Sequence, residues 1–452
     1  MTSQCLRAGR ACVMIAAALT SITAVAAAPW PQWRGPDGEG HAPDAHDLPI
    51  TWSETEHVAW KTPLPGRGWS SPVLDERLVW MTTAIDREAT DEEKARRAVE
   101  PSGGQARRVA TSLSLRAVAV DRDTGRLVHD VELFVVDEPQ PIHALNSYAS
   151  PSPVLAEGRL YCHFGDFGTA CVEAATGRVL WANRELRLDH MNGPGSTPVV
   201  WNGLLIVNCD GIDVQFVAAL DTVTGQIAWK TARSGTLRDD PDVKKAYATP
   251  IIVRQGNRDV LVSPGADWLY GYDPATGREL WRMSYGDLGF SVVPRPVTGH
   301  GLVYMSTSFN QPRLLAVKLA DDGHTAEIAW QEKKGAPSMP SPLVVGERLV
   351  MVSDKGVATF LDAATGATVA TLRLGGNFSS SPLFAAGRIY VGNRDGDTFV
   401  IDPGSGPGEE PGIVATNHLD GRIFATPAAV GDSLYLRTDT AIYRLALPKT
   451  AP

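Results

Sequence analysis

One phrase recurs along the chain and governs what it can fold into: a proline behind small residues, an apolar strand, a turn, and a second apolar strand. It reads SSPVLDERLVWM at its first occurrence and ATPAAVGDSLYLR at its last, with anchoring prolines at Pro72, Pro153, Pro198, Pro250, Pro296, Pro342, Pro382 and Pro427. Successive prolines lie 81, 45, 52, 46, 46, 40 and 45 residues apart, so a unit of roughly 45 residues repeats, with one insertion in the first. That is the span of a four-stranded propeller blade, and eight anchors predict eight blades. The 43 Gly and 32 Pro among 452 residues, with no long amphipathic helical pattern, favour short strands and tight turns throughout. The expected fold is all-β: an eight-bladed β-propeller with four-stranded antiparallel blades.

A second phrase closes many repeats and is fullest from Ala219 to Trp229, ALDTVTGQIAW; related versions end at Trp181, Trp281 and Trp330. Asp-x-x-Thr-Gly suits a tight turn, with Gly supplying positive φ and the Asp and Thr side chains bonding turn amides. The Trp then offers a large flat surface to a neighbouring blade, so these four residues are read as structural docking groups. From about Trp60 onward the chain resembles the pyrroloquinoline-quinone-like (PQQ-like) propellers, a superfamily holding both quinoprotein dehydrogenases and BamB-type scaffolds. His129 in blade one and Ala370 in blade six stand where Trp is expected, and Pro403 to Gly412 replaces the turn in blade seven.

The ends have their own logic. Arg7 and Arg10 precede an apolar run from Ala11 to Ala28, the pattern of a secretory signal peptide over residues 1–27. Residues 28–57 read as an N-terminal extension, 58–447 as the propeller with its insertion at 82–110, and 448–452 as a tail. Three strands follow Pro427, while Val58-Ala59-Trp60-Lys61-Thr62 looks like an isolated fourth, so the ring is expected to close by pairing the two ends. Export to the periplasm or beyond, as a monomer with no membrane span in the mature chain, is the expected fate. The start WPQWRGP, residues 30–36, resembles exported PQQ-like propellers of a distinct subgroup.

Net charge of -9 and scattered basic residues exclude a nucleic-acid partner, which needs a basic face. The insertion Thr82 to Ala110 and the inter-blade stretches Val131 to Ser147 and Thr231 to Ala246 should all lie on one face; excursions near Asp322 and Glu409 should not. Within the insertion, Thr90-Asp91-Glu92-Glu93 reads as a capping box, with Glu92–Arg96 and Glu93–Arg97 at i,i+4 spacing. Loops on a rigid scaffold carry function, so the long-loop face and channel mouth are the place to seek a site. The repeat sets Trp69, Asn146, Tyr148, Asn192, Tyr247, Arg295 and Asn377 near that mouth.

Cys162 and Cys171 flank Gly165-Asp166-Phe167-Gly168; if Phe164 pairs with Thr169 they stand directly opposite, either as a cross-strand disulfide or as two packed thiols. Cys209 is left over on a strand. His41 and His46, with Asp44 and Asp47, are metal-compatible but lie in a Pro-containing loop, and no metal is assigned. The resemblance to quinoprotein dehydrogenases implies PQQ with Ca²⁺, held by a vicinal disulfide, a Trp platform and Glu, Asn and Asp ligands. The sequence has neither a Cys-Cys pair nor a CxxCH haem motif. The preferred expectation is therefore a binding or scaffolding module for a protein, peptide or glycan partner, with a quinoprotein oxidoreductase of degenerate site as the alternative.

Overall fold

The computed structural model describes residues 29–448 apart from 98, 100–103, 105 and 405–408. The segment read as a signal peptide lies outside the described residues, as does nearly all of the tail. Strands follow the repeat because each apolar stretch alternates or runs buried over five or so residues between Gly-containing turns. The result is eight blades of four antiparallel strands each, one of them extended to a five-stranded sheet by a short parallel strand. Blade one comprises Val73–Leu74, Leu78–Glu88, Ala110–Asp121 and Leu127–Asp137. Blade eight takes Ala428–Val430, Ser433–Arg437 and Ala441–Ala446 from the end of the chain and Val58–Pro63 from its start, with Lys61 opposite Tyr443. The expected closure is thus present and leaves no open edge between first and last blades.

Two belts tie the blades together. The inner one uses the residue just before each anchoring proline: its backbone N–H donates to the hydroxyl of the equivalent residue one blade on. Ser71 bonds Ser152 (2.8 Å), Ser152 bonds Thr197 (3.1 Å), and Thr197 bonds Thr249 (3.0 Å). After Arg295 interrupts the series, Arg295 bonds Ser341, Ser341 bonds Ser381, Ser381 bonds Thr426, and Thr426 closes on Ser71 (2.9 Å). Each bond satisfies a buried amide that would otherwise be stranded.

The outer belt is the tryptophan docking, and it has a rule. The docking position sits beside a β-bulge in the fourth strand of every blade, and in five of the eight its ring packs on the Thr-Gly turn of the next. Trp181 Nε1 donates to Thr222 O (3.0 Å), and a Cβ built on Gly225, at φ +72°, would lie 2.5 Å from its ring. Trp229 does the same to Pro274 O, and Trp330 packs on Gly366. His129 also docks, against Gly177, and stacks on Trp80 at 5.3 Å, so blade one is not the gap its missing Trp suggested. Ring contacts appear where the following blade owns the turn. Blades five, seven and eight lack it, and the residues facing them are Trp281, Ala370 and Ala415. Trp281 meets no such turn: it lies over its own blade's Gly271, donates to Gln255 Oε1 (3.2 Å), and shares a core cluster with Val303, Met305, Leu315 and Val317 of blade five.

The N-terminal extension fills the central channel. Trp30 exchanges backbone bonds with Leu74 of blade one, and Leu155 N of blade two donates to Pro31 O. Arg34 donates to Pro342 O of blade six, and Glu39 accepts from Thr298 of blade five. His41–Ala42 adds a parallel strand to Leu383–Ala385 of blade seven, and His46 N donates to Gly431 O of blade eight. A segment touching the innermost strands of six blades must run inside the ring. Its histidines serve backbone: His41 Nε2 bonds Val344 O and His46 Nδ1 bonds Asp44 O.

Two local expectations are overturned. The strand pairing is His163 with Thr169, so Tyr161, not Cys162, stands opposite Cys171. A one-residue change of register reverses facing, and the two thiols enter different core clusters as free, buried cysteines beside free Cys209. The helix Asp91–Arg96 does start on the Thr90/Glu93 capping box. Glu93 and Arg96, however, pair outside the helix, Glu93 with Arg87 (3.2 Å) and Arg96 with Glu138 (2.8 Å), in place of the i,i+4 pairs. Among the described residues no helix is long and apolar enough to cross a membrane.

Candidate functional site

At the channel mouth lies a cavity of about 590 Å³, within the range of small-molecule and side-chain sites. Its wall is written by the repeat. The residue three before each anchoring proline lines it in all eight blades: Trp69, Ser150, Gly195, Tyr247, Val293, Met339, Ser379 and Phe424. Trp33 of the channel segment joins them, fixed by its Nε1 on Thr426 Oγ1 (3.0 Å). Every lining segment is an inter-blade connection, a loop between second and third strands, or the N-terminal segment, which puts the cavity on the expected face. The insertion reaches it too: Arg107–Arg108 pairs with Ile142–His143, and His143 lines the cavity.

Aromatic groups form two walls. Trp69 and Phe424, from blades one and eight, stack at 4.1 Å and 11°. Phe290 and Phe309, from the blade four to five region, occupy the opposite part of an eight-membered ring. Cations back both walls. Arg67 lies 4.8 Å from the Trp69 ring, Arg394 and Arg422 lie within 6 Å of Phe424, and Lys245 is 5.5 Å from Phe290. Arg394 stands directly behind the lining, bonding Ser379 Oγ (2.8 Å) and Met339 Sδ. Among the described residues neither Arg394 nor Lys245 has a carboxylate at ion-pair distance, and the cavity lining holds one carboxylate, Asp242. Burial pulls the basicity of both cations down, as it does for His143, where Arg394 adds repulsion. Leu145 N donates to His143 Nδ1 (3.2 Å), so the neutral ring carries its proton on Nε2.

Of the residues expected at the mouth, Trp69, Asn146, Asn192 and Tyr247 line the cavity and three do not. Asn146 is committed to structure, its amide bonding Asn192 O and Pro194 O and its oxygen accepting from Ser147 and Ser150. Tyr247 donates to His190 O (2.7 Å), and burial raises its pKa, so it holds its proton. Tyr148 is 1% exposed and bonds Gln140 O beneath the surface. Arg295 is turned into the channel, where its guanidinium bonds Gly38 O. Asn377 accepts from Lys355 Nζ (3.1 Å) outside the lining. Trp33, His143, Lys245, Phe290, Phe309, Met339 and Phe424 were missed. Counting back from the prolines would have found Met339 and Phe424.

Behind the wall sit two buried histidines. His190 accepts Asp166 N on Nε2 (2.9 Å) and His163 bonds Thr169 Oγ1 (2.8 Å). Burial lowers their pKa values to about 4 and about 3. Both are neutral when folded but take up protons near pH 6.5 when unfolded, so their contribution is full above pH 6.5 and is lost as pH falls towards 4. Each changes stability by up to about 1.4 kcal/mol per pH unit in that window. In denaturant melts at pH 7.5 and pH 5, His190→Gln should lose less stability on acidification than the parent; an equal loss contradicts the assignment.

The quinone and calcium ion implied by the resemblance do not fit this lining. Described lining residues include no cysteine and a single carboxylate, and no cluster of three His, Cys, Asp or Glu among the described residues suits a metal.

Comparison with known proteins agrees with the architecture. A family profile described as outer membrane protein assembly factor BamB matches residues 89–267, 170–327 and 265–442. The outer membrane protein assembly factor BamB of Moranella endobia (strain PCIT) is 24% identical over 253 residues, which is 55% of this chain. The chain spans 61% of that relative's length. BamB from Moraxella catarrhalis superposes with a TM-score of 0.52 at 13% identity, over 83% of this chain and 99% of that one. A europium-containing methanol dehydrogenase gives 0.58 at 11%, over 92% and 98%. The quinohemoprotein alcohol dehydrogenase of Comamonas testosteroni gives 0.51 at 14%, over 94% and 82%. At such identities the structural likenesses report the fold alone. The three profile matches, however, run from residue 89 to residue 442 and take in well over half of the sequence, so this chain belongs to the family of the outer membrane protein assembly factor BamB.

Proposed function

We propose that the protein is an exported binding module of the cell envelope, engaging a protein, peptide or glycan partner through the channel-mouth face and contributing to outer-membrane assembly. The observation that carries this reading is the cavity itself: concave, aromatic-walled, and lined by the equivalent residue of all eight repeats. A rigid ring whose eight connections converge on one mouth suits recognition. Family membership and the curated BamB relative support an envelope role. No nucleophile-base pair or carboxylate pair lines the mouth among the described residues.

The test is in-cell photo-crosslinking, with a benzoylphenylalanine placed at Ser150 or Ser379 on the cavity lip and another at the exposed Val223 on the opposite face. Discrete adducts from the lip positions and none from Val223 are expected. Adducts from Val223 alone would move the partner surface to the other face and defeat the reading.

A further inference from the structure

We propose that the mouth cavity selects an uncharged ligand that carries carbonyl oxygens beside an apolar body, as a large apolar side chain at a polypeptide turn does, and that Lys245 and Asp242 set this selection. The inference rests on the reading of the mouth as a binding site and adds the chemistry of what enters it.

The lining is balanced in charge. It holds one cation, Lys245, and one carboxylate, Asp242. Lys245 Nζ donates to the backbone oxygen of Asp242; burial disfavours its charge, while Asp242, Asp240 and Asp189 support it. Arg67 and Arg394 stand outside the lining, behind the Trp69 and Phe424 wall, where Asp86 and Asp439 act on the first and Asp354 and Asp395 on the second. His143 is neutral, because burial and Arg394 lower its pKa. An ion of either sign entering this cavity gives up water without meeting an unanswered partner, whereas a neutral group avoids that cost.

The floor is rich in donors. Ser71, Ser152, Thr197 and Thr426 line the cavity at 3–4% exposure, and each hydroxyl oxygen accepts an amide N–H of the inner belt. A hydroxyl that has accepted still has its proton to give, and none of these four protons has an acceptor among the described residues. The neutral His143 ring adds its Nε2–H. Asn146 Oδ1, an acceptor at the lining, already takes Ser147 N and Ser150 Oγ. Carbonyl oxygens answer such a floor, whereas every sugar hydroxyl brings a further proton to be placed.

The sides are apolar and the base is closed. An apolar side chain among Trp69, Phe424, Phe290 and Phe309 gains by area and by ring contact. Beneath them Trp33 and the channel segment fill the ring, so a chain cannot thread through and enters and leaves by the mouth, as a turn does. A chain end would carry an ionised terminus into the balanced lining.

The probes are neutral N-acetyl-phenylalaninamide, anionic N-acetyl-phenylalanine and the permanently cationic N,N,N-trimethyl-phenylalaninamide, titrated calorimetrically into the purified mature protein. Saturable binding of the neutral probe is expected, with each ion weaker by on the order of 10-fold, the effect of one partly buried charge. Asp242→Asn should narrow the deficit of the anion and widen that of the cation, and Lys245→Gln should do the reverse, both variants being shown folded by thermal melts. Loss of packing alone would not move the two ratios in opposite directions. Trp69→Leu should weaken all three probes. An ion that binds the parent as tightly as the neutral probe, or ratios that move alike in both charge variants, overturns the proposal. Cellobiose binding at or above the affinity of the neutral probe makes this a glycan site and overturns it as well. A disulfide-closed peptide presenting Phe at its turn should bind more tightly than the single residue; equal affinity makes the ligand a free aromatic molecule, and the polypeptide assignment falls. If no probe saturates while lip crosslinks form, the binding-module reading stands and this ligand class is wrong; if neither occurs, both fall.

Discussion

Arg233→Leu is expected to lower the unfolding free energy by about 3–5 kcal/mol, the cost of leaving one partner of a buried ion pair alone. Arg233 follows the fourth strand of blade three and clamps Asp210 with two bonds, 2.9 and 2.6 Å. The two side chains are 2% and 1% exposed. Its third nitrogen donates to Ser263 Oγ (2.8 Å), and the guanidinium lies 4.7 Å from the Tyr270 ring, so the pair also fastens blade three to blade four. Burial opposes the charge on Arg233, but the coulombic pull and bonds of Asp210 outweigh it and hold the guanidinium charged. Removing the arginine strands Asp210 where water cannot reach it. The double variant Arg233→Leu/Asp210→Leu should recover part of the loss, because no unpaired charge remains. Denaturant midpoints measure both. A single variant within about 0.5 kcal/mol of the parent, the range of a surface change, contradicts the picture.

The second large effect belongs to the seam. Trp60→Ala should cost about 3 kcal/mol, in the range for removing a packed Trp. Its ring presses on Gly125 of blade one and its Nε1 donates to Arg122 O (3.0 Å), so the N-terminal strand docks across the ring's junction as Trp181 and Trp229 dock elsewhere. Ala370→Trp, by contrast, should bring no comparable gain, because blade seven offers no Asp-x-x-Thr-Gly turn to receive the ring. A stabilisation of about 2 kcal/mol by that substitution would break the link between docking residue and following turn.

The repeat made the architecture legible, because each blade restates its anchor proline, apolar strands and turn in local sequence. Trp60 could have been read as well: Ala59-Trp60-Lys61-Thr62 is identical to Ala228-Trp229-Lys230-Thr231, a docking strand. What stayed hidden was long-range or a matter of parity. The channel-filling run from Trp30 to His46 meets six blades far away in sequence, and nothing periodic in it announces those partners. The Cys162–Cys171 pairing turned on a single residue of register around the Gly165–Phe167 turn, where Phe164 N bonds Gly168 O. Hairpin length decides that, and both alternatives look alike in sequence. At the site, Trp69 and Tyr247 were found because aromatic residues near a repeat anchor stand out. Lys245 and His143 sit in irregular inter-blade stretches, where their facing depends on loop paths and on the insertion strand Arg107–Arg108. Arg295 was misplaced because the channel segment, whose path was not foreseen, draws its guanidinium inward.

On the proposed reading this ring works at its mouth by binding and does not use the redox cofactor of the dehydrogenases it resembles in fold. Titration of the purified mature protein with PQQ and calcium, followed by alcohol or sugar oxidation with an artificial electron acceptor, addresses it directly. The lining, with one carboxylate and no cysteine among its described residues, predicts no saturable calcium-dependent quinone uptake at micromolar concentration and no dye reduction. Stoichiometric, calcium-dependent binding accompanied by substrate-dependent dye reduction would contradict the account.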